Sequence, residues 1–156
     1  MKKIIFFLSF LIILASCGSD DDICLNSEST PRLQIRFKNG AGQITRVENL
    51  IVDVDYGNGK PKNIITQTNV ELVLVPLRID DNPYTDIYFK TAKDGDSSKV
   101  RISYEKKAIY VSPACGFKVN YDDLKADLIK SDPVKNIESN ETSLTDEGKI
   151  NFYLHF

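Results

Sequence analysis

The chain has 156 residues, with 20 Lys and Arg against 22 Asp and Glu and a formal net charge of −2. That balance excludes the clustered basic patch of a nucleic-acid binder. One histidine and three cysteines are too few for a zinc cluster, and the length suits one domain with a self-sufficient core.

Lys2 and Lys3 make a positive start, and residues 4–15 are apolar except for Ser9. The run is shorter than the roughly 20 residues a membrane-spanning helix needs. It fits a signal-peptide core closed by small residues. Leu14-Ala15-Ser16-Cys17 resembles a bacterial lipobox, in which the Cys17 thiol is acylated and residues 1–16 are removed. Nothing after Cys17 is long and apolar enough to span a bilayer, so attachment rests on lipid. One acyl chain holds only reversibly and two or more hold firmly; lipobox lipidation supplies more than one. With Cys17 assigned to lipid, Cys24 and Cys115 remain as a pair in an oxidising compartment. There a disulfide is the default and two free thiols the alternative.

Residues 17–30 are mostly polar and aperiodic, and read as a lipidated tether. Residues 31–156 read as one β-domain. From Arg32 the pattern alternates with period two, the mark of strands buried on one face. The apolar sets in chain order are Leu33, Ile35 and Phe37; Leu50, Val52, Val54 and Tyr56; Val70, Leu72 and Leu74, stopped by Pro76. They continue with Ile87 and Phe89 opposite Tyr84, Asp86 and Tyr88, then Val100, Ile102 and Tyr104. A short strand at Ile109 and Val111 ends at Pro113, and Phe117, Val119 and Tyr121 follow. The last set is Ile150, Phe152, Leu154 and Phe156.

Turn chemistry separates the runs at Asn39-Gly40, Gly57-Asn58-Gly59, Asp81-Asn82-Pro83, Asp94-Gly95 and Glu147-Gly148. Residues 122–130 place Leu124, Leu128 and Ile129 on one side, as a helical turn or a continuation of the preceding strand. Residues 131–147 read as a long surface connection. Seven or eight short strands predict an all-β, antiparallel β-sandwich, immunoglobulin-like or similar.

Thr30-Pro31-Arg32-Leu33, Ile35-Arg36-Phe37, Val75-Pro76-Leu77 and Ile102-Ser103-Tyr104 precede Ile109-Tyr110-Val111-Ser112-Pro113-Ala114-Cys115-Gly116-Phe117 and Tyr121. Together these resemble the Bacteroidota lipoprotein family catalogued as domain of unknown function 6452, residues 112–117 being the most specific stretch. The resemblance implies an outer-membrane-anchored, disulfide-closed β-domain and carries no catalytic residue to transfer. Ser19, Asp20, Asp21 and Asp22, just behind the lipidated cysteine, are similar to the signal that exports such lipoproteins to the cell surface. The plainer reading is a solvated spacer.

Few side chains suggest chemistry. His155 alternates outward with Asn151 and Tyr153 on the last strand and has no second histidine for a metal site or proton relay. No Gly-x-Ser-x-Gly elbow accompanies it. Asp53 and Asp55 before the Gly57-Asn58-Gly59 turn, and Asp94-Gly95-Asp96, lack the twelve-residue calcium pattern with its closing Glu. No metal and no cofactor is expected. Tyr84, Asp86 and Tyr88 share the face opposite Ile87 and Phe89. Exposed tyrosines suit interfaces, so this is the candidate binding face, unless a loop or second layer covers it.

If Cys24 bonds Cys115, only seven residues separate the lipid from the domain, at most about 25 Å of extended chain. Such a leash favours a partner in the same membrane. The expectation is a non-catalytic, surface-exposed outer-membrane lipoprotein docked as an accessory or assembly subunit on an outer-membrane β-barrel protein. The alternative is a carbohydrate or nutrient-capture module, which the lack of Trp disfavours; an enzyme ranks third.

Overall fold

The computed structural model describes residues 29–156. The leader of residues 1–16, the lipidation site Cys17, residues 19–22 and Cys24 lie outside the described residues. Nine strands follow in chain order: β1 (Leu33–Lys38), β2 (Val47–Asp55), β3 (Lys62–Val70), β4 (Leu72–Val75), β5 (Tyr84–Lys90), β6 (Ser98–Ser112), β7 (Gly116–Lys130), β8 (Asn136–Ser139) and β9 (Phe152–His155). They form a four-stranded sheet in the order β4-β1-β9-β8 and a five-stranded sheet in the order β3-β2-β5-β6-β7. No helix occurs among the described residues.

Period-two alternation builds the core because successive side chains on a strand point to opposite faces. Leu33, Ile35 and Phe37 of β1, with Phe152 and Leu154 of β9, are almost completely buried. They meet Leu50, Val52 and Val54 of β2, Ile87 and Phe89 of β5, and Val100 and Ile102 of β6. Two apolar inner faces closed on each other make an all-β sandwich.

The structure departs from the expected layout in ways that share a cause, the three-dimensional course of the chain. The strands number nine, and they are not all antiparallel: β9 runs parallel to β1, pairing Ile35 with Phe152 and Phe37 with Leu154. The third apolar set has the wrong parity, since Val70, Val73 and Val75 are buried while Leu72 is 36% exposed. At residue 71 the chain leaves the five-stranded sheet for the four-stranded one, and inward reverses direction. Asn69 takes a positive φ of 56° there, and the Glu71 carbonyl accepts the Phe37 N–H at 3.1 Å.

Residues 109–111 are no separate strand but the end of the fifteen-residue β6. Residues 122–130 continue β7, which resolves the helix-or-strand alternative toward strand. The expected surface connection at 131–147 carries β8 and buries Val134 and Leu144. The Val134 N–H donates to the buried Ser98 hydroxyl at 2.7 Å, so backbone leaving the sheet finds a partner inside.

Asn151, expected outside, is only 1% exposed. Its Oδ1 accepts from Gln34 N–H, and its Nδ2 donates to the carbonyls of Glu141 and Ser143. The side chain satisfies three backbone groups at once, which compensates its burial. His155 does face outward, yet its side chain is only 17% exposed, with Nε2 3.4 Å from Glu138 Oε2.

Two buried tyrosines contrast in the core. Tyr104 closes a ring in which Arg78 N–H donates to Thr85 Oγ1, Thr85 lies 2.7 Å from the Tyr104 hydroxyl, and that hydroxyl donates to the Arg78 carbonyl. Tyr121 stands edge-on to Tyr104 with centroids 4.9 Å apart. Its buried hydroxyl has no hydrogen-bond partner among the described residues, and burial raises its pKa far above the ordinary phenol value. An unmade hydrogen bond in the interior carries a desolvation penalty, so Tyr121→Phe is expected to raise stability by about 1 kcal/mol. A lower melting temperature for that variant would mean the hydroxyl is satisfied after all.

Candidate functional site

Strand β5 lies in the middle of the five-stranded sheet. Because Ile87 and Phe89 point into the core, Tyr84, Asp86 and Tyr88 are brought together on the outer face as expected. They are not bare. Asp86 is 6% exposed, and its cross-strand neighbour on β6 is Arg101. Arg101 donates to both carboxylate oxygens, at 2.8 and 3.0 Å, and Lys99 approaches to 2.8 Å. The same two cations cover the tyrosines. The Arg101 guanidinium lies 3.9 Å from the Tyr84 ring centroid and the Lys99 ammonium 5.6 Å from that of Tyr88. Lys90 pairs with Asp53 at 3.2 Å alongside.

Burial opposes the charged form of Asp86, but the hydrogen bonds from Arg101 and Lys99 outweigh it and hold its pKa below the usual aspartate range. The two cations are raised in turn, first by their hydrogen bonds to Asp86. The face is therefore a charge lattice with tyrosine half-buried in it, not an open aromatic platform. Lys99 and Arg101 are the residues that the reading of the chain missed. Their role depends on the β5–β6 register, which pairs Asp86 with Arg101 and Tyr88 with Lys99.

At the end of this face, Asp55, Gly57, Gly59, Arg78, Asn82, Tyr84 and Asp86 line a polar cleft of about 180 Å³. Ligand pockets run to roughly 300–1,000 Å³, so this cleft is small. It is further filled by Arg78, whose side chain is only 8% exposed and whose guanidinium is ion-paired with Asp80. Gly57 has φ +100°, and a Cβ there would fall on that guanidinium. The glycine makes room for the arginine. No group of three or more His, Cys, Asp or Glu gathers for a metal ion among the described residues.

A larger groove of about 470 Å³ lies where the two sheets end on the same side. One wall is β3, the edge of the five-stranded sheet, with Ile64, Ile65 and Gln67. The other is β4, the edge of the four-stranded sheet, with Leu72 and Leu74. Edge strands offer unpaired N–H and C=O groups. β3 is nine residues long and mostly exposed, and among the described residues no further strand pairs with its outer edge, which runs for roughly 30 Å.

The third feature is the β6–β7 hairpin. After Tyr104 and before Tyr121, no residue of either strand is buried, although the two strands stay paired out to Ser112 and Gly116. Cys115 sits in the turn, where its N–H donates to Ser112 Oγ at 3.2 Å. It is disulfide-bonded. The first described residues run beside this arm, with the Val119 N–H donating to Thr30 Oγ1 at 2.9 Å.

Comparison with known proteins bears on both ends of the chain. Residues 1–17 match the prokaryotic membrane lipoprotein lipid attachment site, so the protein is a lipoprotein anchored to a membrane through lipid. No curated protein matches. No solved structure matches either. The family model that does match starts at Val52, in the middle of β2, and takes in every later strand through Phe156. The motif at residues 30–37, part of the resemblance read from the sequence, falls outside the matched span. The arm with Cys115, the tyrosine face and the β3–β4 edges fall within it. With 52–156 matched to the Family of unknown function (DUF6452), the chain belongs to that family.

Proposed function

We propose that this lipoprotein is a non-catalytic binding module of the outer membrane, exposed at the cell surface, that docks on a β-barrel protein in the same membrane as an accessory or assembly subunit. The observation that carries this reading is the pair of open sheet edges flanking the β3–β4 groove. An extended segment of a partner can pair with β3 through main-chain hydrogen bonds while its alternate side chains enter the groove. Lipid at residue 17 keeps the module beside membrane-embedded partners and raises their effective concentration. Ser19 and the acidic residues 20–22 fit export to the surface. The Tyr84–Asp86–Tyr88 face is the second docking candidate. Its cations already serve Asp86, so a partner there would compete with existing ion pairs.

The test places a photo-crosslinking residue at Gln67 or Leu72 in cells and compares it with one at the exposed Lys125 on β7, at the far edge of the five-stranded sheet. A discrete adduct with an integral outer-membrane protein is expected from the two groove positions and not from Lys125. No adduct from either groove position, with the lipoprotein recovered alone in mild detergent, would overturn the reading.

A further inference from the structure

We infer that the tip of the β6–β7 arm is a membrane-interface wedge, with Tyr110 and Phe117 entering the lipid headgroup region of the bilayer that holds the acyl chains. This is independent of any protein partner. Residues 108–117 are ten in a row without a charged side chain, the longest such run after residue 29. Tyr110 and Phe117 are register partners across the hairpin and pack edge-to-face with centroids 5.4 Å apart. They are nonetheless 57% and 69% exposed, and Ile109 beside them is 36% exposed. A paired aromatic cluster standing in water at the end of a ribbon calls for an occupant.

Three observations make that occupant lipid. The chain is lipid-attached at residue 17, and Thr30 is bonded to Val119, two residues from Phe117. At most 13 residues, about 45 Å of extended chain, separate the anchor from the base of the tip. The Cys115 turn is also disulfide-bonded, and pairing with Cys24, the partner expected from the sequence, would tie the tip covalently to the anchor segment. Finally, the side-chain chemistry fits a membrane interface, where amphipathic aromatic rings settle at headgroup level. Lys118 directly follows the uncharged tip, and Lys106 and Lys107 lie behind it on β6, where Lys107 pairs with Asp122 and Lys106 donates to the Asn82 carbonyl.

The chain has no tryptophan, so a single one reports its own surroundings. Full-length acylated protein carrying Phe117→Trp is reconstituted into protein-free phosphatidylethanolamine–phosphatidylglycerol vesicles containing lipids spin-labelled near the headgroup. Ile79→Trp, at a position 68% exposed elsewhere on the domain, is the control. The Trp at 117 is expected to emit at shorter wavelength than that at 79 and to be quenched severalfold more strongly. Equal quenching and equal, water-like emission would overturn the proposal. So would a blue shift seen in native membranes but absent from protein-free vesicles, which would assign the tip to a protein partner. If Phe117→Trp does not fold, Tyr110→Trp reads the same interface.

Discussion

Reducing the disulfide at Cys115 is expected to lower stability by about 2–4 kcal/mol, a fall in melting temperature on the order of 10 °C. The crosslink acts mainly by restricting the unfolded chain. Pairing with Cys24, the partner expected from the sequence, closes about 90 residues, for which the chain-entropy model gives roughly 4–5 kcal/mol before any strain. The folded state should respond locally as well. No residue from 105 to 120 is fully buried, so the bond and the Val119–Thr30 hydrogen bond are expected to steady the arm. Amide exchange in 105–120 is therefore expected to accelerate more than in β2 or β5 under reductant. Melting curves of the full chain with and without dithiothreitol, and of Cys115→Ser, decide it. An unchanged midpoint would remove the crosslink from the stability of the fold.

The second large effect belongs to Asp86. Asp86→Ala leaves Lys99 and Arg101 without their shared counter-charge against the sheet. Breaking a fully buried pair costs about 3–5 kcal/mol; with cations 26% and 34% exposed, solvent screening reduces the expected cost to roughly 2 kcal/mol. The pH dependence has a defined sign. The folded carboxylate titrates below its unfolded value, so its stabilisation is fully present above the unfolded pKa. It is lost as pH falls below about 4 through the lower folded pKa. Wild type should therefore lose stability on acidification below pH 4 more steeply than Asp86→Asn. Denaturant midpoints for the two proteins across that range check it, and parallel acid limbs would place the charge elsewhere.

Glu147 adds a smaller contribution of the same sign. Its pKa is lowered first by the side-chain hydrogen bond from Arg32. That pair ties the start of β1 to the loop before β9 through two bonds of 2.7 Å. Arg32 is half exposed, and pairs of that kind are worth at most about 1 kcal/mol.

Much of the fold was legible because one face of most strands is buried and the side-chain period is two. Leu33-Ile35-Phe37, Leu50-Val52-Val54, Ile87-Phe89 and Val100-Ile102 all point inward as read. Legibility failed where burial did not follow a strand from end to end. β3 exposes most of its residues and gave no alternating signal. β6 keeps pairing past Tyr104 with nothing to bury, so its apolar residues looked like a second strand. Between β3 and β4 the parity inverts because the chain changes sheets at residue 71, and no local pattern records a change of layer. Of the candidate site, the shared face of Tyr84, Asp86 and Tyr88 follows from alternation alone. Its occupation by Lys99 and Arg101 does not, since that needs the partner strand and its register.

The amino-acid sequence by itself determined that this is a lipid-attached chain bearing an all-β domain, since a leader ending in Cys17 and a period of two are local properties. Only the tertiary structure decided which strands pair, that β9 lies parallel to β1, which sheet edges stay open, and that the Cys115 turn stands at the end of an unburied ribbon. Those outcomes depend on which distant faces close over one another, and residues far apart in the chain carry no local mark of that choice.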